Sequence, residues 1–170
     1  MSFNSVSVDT VDLNPFKSIS KDWLLLTSGN EEKFNTMTVS WGGLGFLWNK
    51  NVSFAFIRPQ RYTFEFMEKN DYYTLSFLEC KDKDILKYCG KFSGRDVDKV
   101  KETGLVPIFE KDYTYFEQSK LVFVCKKIYT DNINPQNFLV EEIEKNYPQK
   151  DYHKMFIGEI IDCLMKDGIR

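Results

Sequence analysis

The sequence predicts a mainly β fold, an antiparallel β-barrel with helical insertions, and three observations carry that prediction. Short alternating or continuous apolar stretches recur about seven or eight times, bounded by Gly, Pro, Asn or Asp. Helical periodicity appears in only three short inserts, so strands do not alternate with helices as a doubly wound fold requires. An open sheet of that many strands would leave long exposed edges, which closure into a barrel removes. At 170 residues the chain is long enough for one domain with a real core and too short for two. A single domain over 1–170 is predicted, with residues 1–20 as an N-terminal arm.

Taken in order, the arm has no helical period, and Asn14-Pro15 reads as a turn before a first strand, Trp23 to Thr27. After Ser28-Gly29-Asn30, a second strand runs from Phe34 to Trp41. Thr36, Thr38 and Ser40 alternate on one face, with Met37, Val39 and Trp41 on the other. Gly42-Gly43 and Gly45 read as a break, a flexible turn or bulged strand end. They are not a dinucleotide fingerprint, because Trp48 stands where the third glycine would be.

Asn51 to Arg58 is nearly continuous in apolar residues, as in a strand buried on both faces, and Pro59 stops it. Arg61 to Lys69 has amphipathic helical spacing, and Tyr72 to Leu78 is a strand. Asp82 to Lys91 and Ser93 to Thr103 read as helices, the second opened by a Ser93-Gly94-Arg95-Asp96 capping box and closed by Gly104. Leu105 to Tyr115 and Leu121 to Tyr129 are β-rich. Glu141 to Asn146 forms a helical turn after an Asn-and-Pro loop, and Met155 to Leu164 is the last strand.

Composition narrows the function classes. Apolar residues are 42% and aromatics 16%, a globular balance with rings available for a core or for a flat-ligand site. A net charge of −2 supplies no basic field for a phosphodiester backbone, so nucleic acid is not expected as a partner. Cys80, Cys89, Cys125 and Cys163 are scattered without a C-x-x-C pair, and His153 is the only histidine. They read as reduced thiols, and no metal site is expected. No apolar run approaches a membrane span and no leader pattern opens the chain, so a cytoplasmic protein without a membrane partner is expected.

Two segments carry candidate chemistry. The run Asn35-Thr36-Met37-Thr38-Val39-Ser40-Trp41-Gly42-Gly43 sets hydroxyls roughly 7 Å apart along one strand face. They could follow a polar chain and ring edge, although a solvated antiparallel face has the same look. In Arg58-Pro59-Gln60-Arg61-Tyr62-Thr63, two arginines flank a proline at a strand end. A planar guanidinium bonds two phosphate oxygens at once, and the amides of a helix starting there also favour an anion; a strand-to-helix corner with surface charges is the plainer reading. Lys99 would add positive charge nearby. His153, at the entry of the last strand, could supply a proton or a hydrogen bond, or simply be a partly exposed side chain.

Together these segments resemble the flavin reductase-like proteins of the FMN-binding split-barrel class, and within them the flavoredoxin-like group. The resemblance spans residues 20 to 165. It rests on the two segments above, on Cys89-Gly90-Lys91-Phe92-Ser93-Gly94-Arg95-Asp96-Val97-Asp98-Lys99, and on His153 with Gly158-Glu159-Ile160. It implies an antiparallel Greek-key split barrel, a homodimer binding FMN non-covalently near the subunit interface. By this match Asn35, Thr36, Met37, Thr38, Ser40 and Trp41 lie along the flavin, and Arg58, Pro59, Arg61, Tyr62 and Thr63 surround its phosphate end. Ser93, Gly94 and Lys99 stand close by, and His153 is presented toward the ring or a nicotinamide as the catalytic candidate.

The implied activity is transfer of a hydride or electrons between NADH or NADPH, bound FMN and an acceptor. The cofactor carries the redox chemistry, so a chain without a nucleophilic triad is suited to it. Two other functions are compatible with the same residues. One is a flavoredoxin-type electron carrier with no nicotinamide site of its own; the other is a barrel that binds a different small ligand or senses heme.

Overall fold

The computed structural model describes residues 2–168; Met1 and residues 169–170, the ends of the predicted span, lie outside them. In chain order the elements are β1 (Phe3–Ser5), α1 (Pro15–Lys17), β2 (Leu24–Gly29), β3 (Phe34–Val39), β4 (Gly42–Leu47), β5 (Lys50–Ile57) and α2 (Tyr62–Lys69). There follow β6 (Tyr72–Leu78), α3 (Lys83–Lys91), α4 (Lys99–Thr103), β7 (Pro107–Phe109), β8 (Thr114–Phe116), β9 (Ser119–Asn132) and β10 (Lys154–Lys166). Among the described residues no helix is long and apolar enough to cross a membrane.

The long strands form one antiparallel sheet in the order β3-β2-β6-β9-β10-β5-β4, with β1 lying along β10 and β7-β8 as a separate hairpin. Each strand sends alternate side chains to one shared interior: Leu24 and Leu26, Met37 and Val39, Ala55 and Ile57, Tyr73 and Leu75, Phe123 and Cys125, and Phe156 meet in a single cluster. Side chains from neighbouring and distant strands can share one core only if the sheet curls on itself, which is the barrel expected from the pattern of short strands. Its two ends, β3 and β4, are successive in sequence yet unpaired, and Ser40 and Trp41 bridge them. A second cluster, of Leu25, Leu78, Leu86, Cys89, Leu105 and Phe116, packs α3 against the outside of the sheet.

Three predicted elements differ. Gly42 to Leu47 is an ordered strand paired with β5 and not a turn, because β5 supplies the ladder and the missing side chains leave room for Phe54, whose ring lies over Gly43 and Gly45. Asn14-Pro15 opens a short helix: the Asn14 side chain accepts from the Lys17 amide at 3.1 Å, with proline at the first helical position. The second helix after β6 begins at Lys99 and not at Ser93. Asp98 is its cap, accepting from the Lys101 amide, whereas the Ser93 side chain accepts from the Arg95 amide and its carbonyl from those of Asp96 and Val97, which closes a turn.

Candidate functional site

The outer half of β3, the Ser40–Trp41 link that follows it, the corner after β5, α3 and the entry to β10 enclose a cavity of about 460 Å³. From the predicted residues it gathers Met37, Thr38, Ser40 and Trp41 of the β3–β4 run, Arg58 and Arg61 of the corner after β5, and His153 at the entry to β10. Trp23, Val39, Phe56, Leu86, Lys87 and Gly90 complete the wall. These six were missed by sequence reasoning, and only Val39 and Gly90 fall inside motifs used for the resemblance.

A smaller cavity of about 170 Å³ adjoins it, sharing Met37 and Arg61. Here Asn35, Tyr62, Thr63, Ser93, Gly94 and Lys99 come together, segments as much as 64 residues apart in sequence (99 − 35). The Asn35 side chain donates to Thr63 Oγ1 at 2.7 Å, tying β3 to the first turn of α2. Gly94 lies so close to it that a Cβ there would stand 2.0 Å from Asn35 Oδ1. Arg61 caps α2 without a side-chain acceptor; its carbonyl takes the Phe64 amide at 2.9 Å, while the Tyr62 and Thr63 amides have no acceptor among the described residues.

Besides the exposed Lys91 at its rim, two cations face this space. Lys99 is 6% exposed and donates to the Thr36 carbonyl at 2.7 Å and the Cys89 carbonyl at 2.9 Å, which leaves one ammonium proton uncommitted. Arg61 donates to the Gly90 carbonyl at 3.0 Å. Among the described residues neither has a carboxylate within 4.0 Å. Burial, and then the charge of Arg61, push the Lys99 ammonium down to about 8, and burial followed by Arg58 lowers Arg61. Nearby positive charge without a counter-charge is the electrostatic condition of an anion site.

Other predicted residues are turned elsewhere. Thr36 Oγ1 accepts from Thr27 and donates to the Leu26 carbonyl, and Thr38 donates to the Leu86 carbonyl, so two hydroxyl protons of the row are spent inside the protein. Thr36 lines a third cavity, of about 600 Å³, which shares Asn35, Tyr62, Gly94 and Lys99 with the smaller one. Pro59 is exposed at the corner and lines none of these spaces. Arg58 pairs with Asp151 at 2.7 Å, donates to the Asn146 carbonyl and lies 5.2 Å above the Tyr147 ring. Its charge is therefore spent on the segment preceding β10.

His153 is buried, at 7% exposure, and not the partly exposed side chain of the plainer reading. Its ring lies 5.2 Å from that of Trp41, and Nδ1 is 2.8 Å from the Tyr147 hydroxyl. Burial and then Arg58, opposed by Asp151, push it down to about 4, so the imidazole is neutral near pH 7. Among the described residues no three His, Cys, Asp or Glu side chains cluster as metal ligands would.

The fold has counterparts among solved structures. Flavoredoxin from Methanosarcina acetivorans aligns with a TM-score of 0.68 at 18% identity, covering 96% of this chain and 76% of that one. The FMN-binding domain of a flavin reductase-like enzyme from Shewanella baltica gives 0.69 at 16%, with coverages of 97% and 78%. The flavin reductase of a styrene monooxygenase from Pseudomonas putida gives 0.63 at 14%, with 86% and 80%. At these identities the likeness is one of fold. No curated protein matches the chain. The model of the flavin reductase like domain matches residues 16–170, nearly the whole chain, and the protein therefore belongs to the flavin reductase-like family.

Proposed function

We propose that this chain is an FMN-dependent oxidoreductase that exchanges a hydride or electrons among NADH or NADPH, the bound flavin and an acceptor. The observation that carries the reading is the pair Arg61 and Lys99, cations without carboxylate partners, beside a cavity that shares its wall with a larger, aromatic-lined one. A flat ring joined through a polar chain to a phosphate matches that sequence of spaces. When bound, the flavin supplies the two-electron and one-electron chemistry.

The residues have distinct tasks in this reading. Arg61, Lys99 and the first-turn amides of α2 hold the phosphate, with Ser93 and Gly94 closing over it. Met37, Ser40 and Trp41 line the ring, Thr38 keeps an acceptor lone pair toward the cavity, and Asn35 and Thr63 brace the start of α2. Tyr62, stacked under Arg95, walls the phosphate end. Arg58 and His153 close the opposite wall. A neutral His153 offers a hydrogen bond near pH 7 and is not a proton donor there. We also propose a homodimer acting in the cytoplasm, a compartment that suits four free cysteines of which three are buried.

Absorbance of the purified protein in the visible range tests this, first with added FMN and then with NADH or NADPH without oxygen. A bound-flavin spectrum bleached by either donor is expected. A spectrum bleached only by a chemical reductant would indicate a carrier, and a chain that ignores FMN would end the reading. Arg61→Ala should weaken FMN by about 1.5 to 3 kcal/mol and leave riboflavin, which lacks the phosphate, nearly unaffected.

A further inference from the structure

The segment between β9 and β10 contributes a side chain that faces the back of the site. Tyr147 is 5% exposed and rests in an aromatic stack, with Phe138 at 6.1 Å and nearly parallel, Tyr152 at 5.0 Å and the Arg58 guanidinium at 5.2 Å. Asp151, held by Arg58 and Gln60, anchors the same segment. The Tyr147 hydroxyl thus reaches His153 Nδ1 at 2.8 Å.

That contact has a chemical consequence. A neutral imidazole carries its proton on one nitrogen, and the partner of one nitrogen decides which. A buried phenol must donate somewhere, and His153 Nδ1 is the side-chain partner present for it among the described residues. Nε2 has no hydrogen bond among the described residues, and the ring lines the larger cavity.

We propose that Tyr147 is a positioning residue that locks His153 in the Nε2–H tautomer, so that the edge free to meet a ligand is a hydrogen-bond donor and not a proton acceptor. This rests on the flavin reading for its purpose, a donor directed at an electron-rich ring, but not for its measurement. Through Tyr147 the Arg58–Asp151 pair also gains a role, since it steadies the segment that delivers the phenol.

With one histidine in the chain, long-range proton–nitrogen correlation spectra of the 15N-labelled full-length protein report this tautomer without assignment ambiguity. In flavin-free wild type at pH 7 we expect Nδ1 unprotonated and Nε2 protonated. In Tyr147→Phe the two nitrogen signals should move toward each other as the tautomers mix. An Nδ1–H tautomer or an imidazolium in wild type, or an unchanged spectrum in a folded variant, would overturn the assignment; the wild-type spectrum decides alone if the variant does not fold. With FMN bound, Tyr147→Phe should slow bleaching by nicotinamide roughly tenfold with little change in KM. A protein that binds no FMN would remove the proposed function while leaving the tautomer result in force.

Discussion

Lys99 is the residue whose charge does most at this site. Its ammonium is pushed down to about 8, well below the ordinary lysine range, because burial and Arg61 both disfavour the cation. A phosphate bound beside it favours the cation again, so above about pH 8 binding must take up a proton. FMN affinity should therefore fall as pH rises from 8, approaching roughly tenfold per unit, while riboflavin affinity stays flat; fluorescence titrations at stepped pH would show it. The two arginines of the corner look alike in sequence, yet Arg61 faces the cavity and Arg58 is taken by Asp151, 93 residues away. Alternation likewise tells which face a hydroxyl occupies but not that Leu26 and Leu86 carbonyls already hold the Thr36 and Thr38 protons. Partners so distant in the chain leave no local trace.

At the scale of elements, most strands were legible because their alternation answers to one core. β4 was not, since its glycines lower strand propensity and its order comes from β5 alongside it. α4 was placed too early because Ser93 and Asp96 have the spacing of a cap, while the contact of Gly94 with Asn35 keeps that stretch a turn. β10 carries a glycine, Gly158, that forms part of the resemblance but for which sequence supplied no physical reason. Gly158 faces Tyr73, a fully buried side chain whose hydroxyl lies 2.6 Å from Ser53 Oγ in the barrel interior. A Cβ at 158 would stand 2.4 Å from that hydroxyl. Gly158→Ala should cost on the order of 2 kcal/mol, read as a lower urea midpoint, because neither the strand ladder nor the ring can give way.

For the molecule as a whole, antiparallel pairing and barrel closure followed from strand count and spacing, whereas the cavities needed the folded chain to exist. Its surface also carries apolar groups: Phe46 is 70% exposed and Trp48 55%, the latter edge-on to Tyr129 of β9 at 5.9 Å. Covering them is what the proposed homodimer would do. Sedimentation should show two chains per particle, with Phe46→Glu shifting it toward single chains; a wild type that sediments as one chain would refute the assembly. The unpaired ends of the sheet have a different consequence. Where β3 gives way to β4 no ladder stitches the wall, and only the Ser40–Trp41 link joins the two edges. Both residues line the bore yet belong to no ladder, so it can be retailored there by single substitutions without unpicking the weave around it.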